Sequence, residues 1–278
     1  MDKTLKLAVL GDPIAHSRSP QLHQYFASVS DLQVDYQRIQ AGSSELAPKL
    51  QHFLAAGGHG ANITLPHKQA VMALCTDISA RARRAAAVNT LLRSGDGWRG
   101  DNTDGIGLVL DLQDQAIKLD AASVLIIGAG GASRGIVPAL LDAGCKRIVI
   151  ANRTPDKAHA MIDAINDTRL AASALQRDYS ATFDLLIHAT AAGHQQRKLP
   201  LPEVLQGRPY CYDLSYADAS TAFLDWARQQ GCRHSDGLGM LIAQAAESFR
   251  LWTGTTIDAA QRLAAKTQLQ ASLRQPFT

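Results

Sequence analysis

The chain has 278 residues, 46% of them hydrophobic and 19% charged, with a formal net charge of +3. That balance fits a globular protein of one large or two ordinary domains and excludes a strongly basic nucleic-acid binder. No apolar run approaches the ~18 residues of a membrane span. The four cysteines, Cys75, Cys145, Cys211 and Cys232, show no zinc or CxxC spacing, so reduced thiols are expected.

The first residues, MDKTLKLAVLG, enter a strand over 5–10 directly and lack a signal-peptide pattern, which predicts a cytoplasmic protein. Gly11-Asp12-Pro13 ends that strand. Ser19-Pro20 starts a helix with Ser19 at N-cap and Pro20 at N1, and Leu22, Phe26 and Val29 form its apolar face. His16 and His23 lack the i,i+4 spacing of a helical metal pair, and no metal is expected. Strands are predicted over 34–40 and 61–64, and helices over 43–56 and 67–75. Arg81, Arg83 and Arg84 form the densest basic cluster and read as a solvated helix face. Residues 88–93 and 98–101 read as strands around a turn at Gly95-Asp96-Gly97. Strands alternating with helices predict an α/β fold with a largely parallel sheet.

A helix over 103–116, with Ile106, Val109 and Leu110 on one face, leads to a second α/β block. Its strands are predicted at 124–127, 147–151, 185–189 and 210–213. The first runs into Gly128-Ala129-Gly130-Gly131, and Ala132 opens a helix in which Pro138 should produce a kink. Such a turn lets backbone N–H groups approach a pyrophosphate at a helix N-terminus. The usual spacing places a small residue where Ser133 stands. Alone, the turn is also compatible with an unliganded strand-to-helix connection. Towards the C-terminus, Leu238, Leu241, Ile242, Ala245, Ala246, Phe249 and Trp252 recur at helical spacing, and a last helix follows from about Asp258. Two consecutive helices break the alternation and could pack back onto the first block.

In a dinucleotide fold the end of the second strand selects the adenosine ribose, and an acidic residue there favours NAD. Here the strand over 147–151 runs into Asn152-Arg153-Thr154, with Lys157 one helical turn on. Arg153 can form charge-assisted bonds to a 2′-phosphate. NADP(H) is therefore the expected cofactor. Thr154 with Pro155 also reads as an ordinary helix start, and both roles are compatible.

Seven segments occur in order: GDPIAHSRSP at 11–20, ANITLPHK at 61–68, AVNT at 87–90, GDNTDG at 100–105, GAGGASRG at 128–135, ANRT at 151–154 and DGLGMLIAQAA at 236–246. Together the chain resembles the shikimate dehydrogenase family over nearly its whole length. The resemblance implies reversible, NADP-dependent reduction of 3-dehydroshikimate to shikimate in aromatic amino-acid biosynthesis. It implies a substrate domain over 1–104 completed by the C-terminal helices of 238–278, a Rossmann-type cofactor domain over 105–237, and a site in the cleft between them. Lys68 and Asp104 match the family's catalytic pair. The residues leave two roles open for Lys68, a proton relay or an electrostatic and hydrogen-bonding group. Ser17 and Ser19 match the carboxylate-binding pair; Thr64, Asn89 and Gln244 match residues around the substrate hydroxyls, and Tyr216 a substrate-proximal tyrosine. Gly128, Ala129, Gly130, Gly131, Ala132, Asn152, Arg153, Thr154, Lys157, Thr190 and Gly237 are the implied cofactor contacts.

One segment departs from the family. Residues 188–193 read His-Ala-Thr-Ala-Ala-Gly where Asn-Ala-Thr-Ser-Ser-Gly is usual, beside the nicotinamide half of the cofactor. Two rival readings remain: a quinate/shikimate dehydrogenase with relaxed substrate or cofactor choice, and a non-catalytic NADP-binding module. No nucleic-acid or membrane partner is expected, and the state is monomer or homodimer.

Overall fold

The computed structural model describes residues 4–176, 178–190 and 201–273. They form two compact units. One comprises the residues up to Gly107 together with those from Ile242 onward, and the other runs from Leu108 to Leu241.

The first unit contains β1 (Leu5–Gly11), α1 (Ser19–Ser28), β2 (Val34–Gln40), α2 (Leu46–Ala55), β3 (Gly60–Ile63), a short β4 (Asp77–Ile78), α3 (Ala80–Ala85), β5 (Thr90–Ser94) and β6 (Gly97–Asp101). The sheet order is β2-β1-β3-β5-β6-β4. β1 runs parallel to β2 and β3, and β4 parallel to β6. β5 is antiparallel to both β3 and β6. The hairpin explains this mixture: Gly95, at φ +58°, turns the chain back at once, and so short a connection can join only antiparallel neighbours. The helix expected over 67–75 contracts to a 3-10 turn, Ala70–Leu74, in which only Val71 is buried. One apolar anchor does not offset the cost of nucleating a longer helix. Both faces of β1 are covered. Ala8 and Leu10 pack with Leu50, Phe53 and Trp98, while Leu7 and Val9 pack with Tyr36 and Trp252.

The chain leaves this unit within α4 (Asp104–Asp114). The second unit then follows as β7 (Ser123–Ile127), α5 (Gly131–Asp142), β8 (Arg147–Asn152), α6 (Pro155–Ile165), β9 (Leu170–Ala174), β10 (Asp178–Thr182), β11 (Leu185–His188), β12 (Val204–Gln206), β13 (Tyr210–Asp213), α7 (Thr221–Gln229) and β14 (His234–Ser235). Its main sheet has the order β14-β13-β11-β7-β8-β9 and is parallel throughout. That is the doubly wound dinucleotide-binding order, with its switch point between β7 and β11. The four predicted strands are all present. β9, LAASA, is too poor in β-branched residues to stand out, and β14 is only two residues long. α5 runs through Pro138 to Asp142, burying Ile136, Val137, Leu140 and Leu141.

α8 (Leu238–Thr253) and α9 (Ala259–Leu273) close the chain. From Ile242 on they belong to the first unit. Trp252 Nε1 donates to Leu91 O at 2.9 Å, and a Cβ at Gly60 would lie 2.2 Å from the indole, so only glycine admits the ring there. α9 lies on α1, with Leu269 buried and Ser272 Oγ 3.5 Å from Gln21 Oε1. No described helix is long and apolar enough to cross a membrane.

Candidate active site

Lys68 sits after the turn that ends β3, and Asp104 opens α4. Lys68 Nζ donates to Asp104 Oδ2 at 2.6 Å, with side chains 23% and 6% exposed. The backbone holds both. Val88 N donates to Lys68 O at 2.7 Å, and Asp104 N donates to Asn102 Oδ1 at 3.0 Å. The buried His67 beside Lys68 anchors the turn through Nε2 to Ala41 O at 2.6 Å. The second Asp104 oxygen accepts from Asn89 Nδ2 at 2.8 Å. Both oxygens of the carboxylate are thus engaged, while the lysine side chain stays partly exposed.

Asn89 is the hub. Its Nδ2 also faces Gln244 Oε1 at 2.9 Å and Thr103 Oγ1 at 3.0 Å. Its Oδ1 accepts from Thr103 N and Thr90 Oγ1, each at 2.8 Å. Asn89 is 2% exposed, and a buried amide is tolerated only when so paired. From Thr90 the polar chain continues to Ser248 Oγ at 2.8 Å. Asn62 Nδ2 donates to Ser248 Oγ at 3.1 Å, and Tyr36 OH to Asn62 Oδ1 at 2.7 Å. Taken singly, Thr90, Thr103, Ser248 and Asn62 carry no distinguishing signal in the sequence. Ser248 stands one helical turn after Gln244, and that spacing was the clue available.

Ser17 and Ser19 come together, Oγ to Oγ at 3.2 Å. Ser19 is not the N-cap: Arg18 takes that position, and no side chain caps α1. Ser17 N is held by Ile14 O, so the chain has already turned and Ser19 is inside the first turn. The Arg38 guanidinium holds Ser17 O at 2.7 and 3.0 Å. Thr64 is half-buried at the end of β3, its N donating to Leu10 O at 2.9 Å. Lys68, Asp104, Asn89, Gln244, Thr64, Ser17 and Ser19 all lie in the first unit, whereas Tyr216 belongs to the second.

An ion cluster of two buried carboxylates and two partly exposed arginines braces this unit. Arg81 bonds Asp101 at 2.6 Å and Glu247 at 2.9 Å, and Arg250 bonds Glu247 at 2.7 Å. Burial alone would raise the Glu247 carboxyl, but Arg250 and Arg81 prevail and hold it below its ordinary value. His23 is different. It is fully buried among Phe26, Tyr36, Phe249 and Trp252, stacked on Tyr36 at 4.6 Å. Neither ring nitrogen makes a well-formed hydrogen bond among the described residues. Burial pushes its pKa down to about 3, only partly opposed by the nearby Asn62 amide.

In the second unit the glycine turn joins β7 to α5. Gly128 has φ +118°, and a Cβ there would approach Ala189 O to 2.7 Å. Gly130 and Gly131 are exposed, and a Cβ on either would meet nothing within 4 Å. Protein packing does not demand glycine at those two positions. Ala129 and Ala132 complete the turn, and Gly130 is the N-cap of α5. Ser133, the departure from the usual spacing, is fully buried and donates from Oγ to Gly128 O at 2.7 Å, tying the helix to the turn. At the end of β8, Asn152 Nδ2 donates to Thr154 O at 2.8 Å. Thr154 is the N-cap of α6 but makes no side-chain cap bond. Arg153, Thr154 and Lys157 are exposed, and Arg153 and Lys157 form no ion pair among the described residues. Gly237 is required by packing: a Cβ would lie 2.3 Å from Leu214 O.

His188 and Thr190 are described, while Ala191, Ala192 and Gly193 lie outside the described residues. His188 ends β11 fully buried. Its Nδ1 is 3.1 Å from Asp213 Oδ1 and its Nε2 2.7 Å from Thr190 Oγ1. All four cysteines are free, and the described residues contain no group of metal-binding side chains.

A parallel sheet of this order with an open glycine turn at its switch point defines a dinucleotide-binding α/β protein, here joined to a unit with a lysine–carboxylate pair. Family models identify that class further. The model for the shikimate dehydrogenase substrate binding domain matches residues 9–91, that for shikimate / quinate 5-dehydrogenase 111–198, and that for the shikimate 5′-dehydrogenase C-terminal domain 237–261. A shikimate dehydrogenase (NADP(+)) of Stenotrophomonas maltophilia is 47% identical over 258 residues, covering 90% of this chain and 92% of its own. The crystal structure of an Ael1 enzyme from Pseudomonas putida superposes with a TM-score of 0.88 at 36% identity, over 96% of this chain and 98% of that one. Shikimate 5-dehydrogenase from Thermus thermophilus, in complex with NADP(H) and shikimate, gives 0.83 at 33% identity over 95% and 99%. The chain belongs to the shikimate dehydrogenase family.

Proposed function

We propose that the protein is an NADP-dependent oxidoreductase that reversibly reduces 3-dehydroshikimate to shikimate, in the cytoplasm. The single observation that carries this reading is the Lys68–Asp104–Asn89 constellation, in a chain of this family. In the reading, the first unit holds the substrate and the second the dinucleotide.

The open faces of Gly130 and Gly131 fit a pyrophosphate. The exposed Arg153, Thr154 and Lys157, with Asn152 where NAD-selecting folds carry a carboxylate, fit a 2′-phosphate. NADP(H) would be held there, and when bound its reduced nicotinamide supplies the hydride. Ketone reduction places negative charge on the carbonyl oxygen. The Lys68 ammonium stabilises that charge by a hydrogen bond and donates the proton that completes the hydroxyl. Asp104 keeps Lys68 in place, and Asn89 keeps Asp104 in place. The 23% exposure of Lys68 gives it a path to regain its proton from water. Gln244 and Thr64 offer neutral groups for substrate hydroxyls, and the paired Ser17 and Ser19 hydroxyls suit a carboxylate.

A spectrophotometric assay with shikimate or quinate against NADP⁺ or NAD⁺ tests this reading. Turnover of shikimate with NADP⁺ at the highest kcat/KM supports it. Preference for quinate transfers the assignment to the quinate reaction, and inactivity on both acids overturns it.

A further inference from the structure

The buried histidine at the end of β11 has no part in the reaction just described. His188 and Asp213 face each other across the parallel pair β11 and β13, and both are fully buried. The ring stacks on Phe223 of α7 at 5.2 Å and 15°. Asp213 Oδ1 accepts from Ser215 N at 2.9 Å as well as from the imidazole, while Oδ2 has no partner among the described residues. A buried pair of this kind is a poor way to gain stability, because desolvation offsets the attraction. What it provides is direction. A carboxylate at Nδ1 makes that nitrogen the donor, which leaves Nε2 of the neutral ring as an acceptor. Thr190 Oγ1, 2.7 Å away, then donates to Nε2.

The strand end carrying Thr190 abuts the dinucleotide turn. Ala189 N donates to Ile127 O at 2.8 Å, and a Cβ at Gly128 would lie 3.1 Å from Thr190 Cγ2. This is the carboxyl edge of the sheet at its switch point. We propose that His188 and Asp213 are positioning residues that set the Thr190 hydroxyl, through the Asp213–His188–Thr190 chain, for the nicotinamide half of the cofactor. The inference rests on the proposed NADP(H) site. It assigns His188, the departure from the family's asparagine, a role that a shorter side chain bonded to Asp213 could not fill, since asparagine cannot also reach Thr190.

Equilibrium binding to the substrate-free protein tests it with two probes: NADP⁺, and 2′-phospho-ADP-ribose, which lacks the nicotinamide. His188→Asn and Thr190→Val should each weaken NADP⁺ binding about tenfold, the scale of one lost hydrogen bond, while leaving 2′-phospho-ADP-ribose within twofold. The double variant should be no weaker than either single one, because both break the same chain. His188→Gln, whose longer side chain carries an acceptor to Thr190, should recover most of the loss. Equal losses for both probes, or unchanged NADP⁺ binding in Thr190→Val, overturn the proposal while the cofactor site stands. If the unmodified protein binds neither probe, the cofactor site and this inference fall together.

Discussion

The two units build their sites in opposite ways. In the first, the polar groups are side chains wired to one another below the surface. Lys68, Asp104, Asn89, Thr90, Thr103, Gln244, Ser248 and Asn62 form one connected network with contacts of 2.6–3.4 Å. In the second, the groups proposed to hold the dinucleotide are a backbone turn with open glycine faces and the exposed side chains of Arg153 and Lys157, which form no ion pair among the described residues. The contrast follows from what each site handles. Reduction requires a donor fixed within a few tenths of an ångström where charge develops, which a preorganised network supplies. A dinucleotide brings its own charge and many contacts, so exposed amides and cations suffice to bind it.

Replacing Lys68 with Ala breaks the first site most severely. It should lower kcat about 10³-fold and leave KM for shikimate within a few-fold, the pattern of an interaction made in the transition state. Steady-state kinetics would show it, and a near-normal kcat would remove Lys68 from the mechanism. Arg153→Ala should act on binding alone. We expect KM for NADPH to rise about 10- to 100-fold, the worth of a charge-assisted bond, with kcat and use of NADH unchanged. An equal loss with NADH would mean that Arg153 does not read the 2′-phosphate.

Two of the buried histidines sharpen the comparison. His23, in the first unit, has no well-formed hydrogen bond among the described residues, whereas His188, in the second, is bonded at both nitrogens. The folded-state pKa of His23 is depressed to about 3 from an ordinary 6.5. Between those values the unfolded chain takes up a proton that the folded protein does not. Stability is therefore unaffected above pH 6.5 and falls as pH drops below it, by up to about 1.4 kcal/mol per pH unit from this one group. Denaturant titrations at pH 6 and pH 5 should show a shallower pH dependence in His23→Phe than in the unmodified protein. Identical slopes would mean that the ring is not held neutral. The smallest effect is expected at Ser133. Ser133→Ala removes one buried bond to the glycine turn and should cost about 1 kcal/mol in unfolding free energy, with a modest rise in KM for NADPH. No change in either would make the serine incidental.

The organisation of this protein was legible in one dimension because its strands and turns are local signals. The apolar run before Gly128, the Pro20 helix start and the hairpin at Gly95 each follow from the residues on either side. Lys68 and Asp104 stand out only through the family resemblance of their segments, and Arg153 through the absence of a carboxylate after β8. Ser19 read as an N-cap because Ser-Pro resembles one, but the turn had closed one residue earlier and left that hydroxyl to Ser17.

What the linear order could not reveal is which residues meet. Asn62, Thr90 and Ser248 look like ordinary strand and helix residues until α8 is laid against β3 and β5, 158 positions separating Thr90 from Ser248. His188 and Asp213 become partners only through the register of two parallel strands, 25 residues apart. The residue types and turns that make this an α/β dinucleotide-binding chain are encoded locally, in backbone propensity and side-chain period. The wiring of its site is decided by tertiary packing, because buried polar groups must find partners wherever the fold brings them.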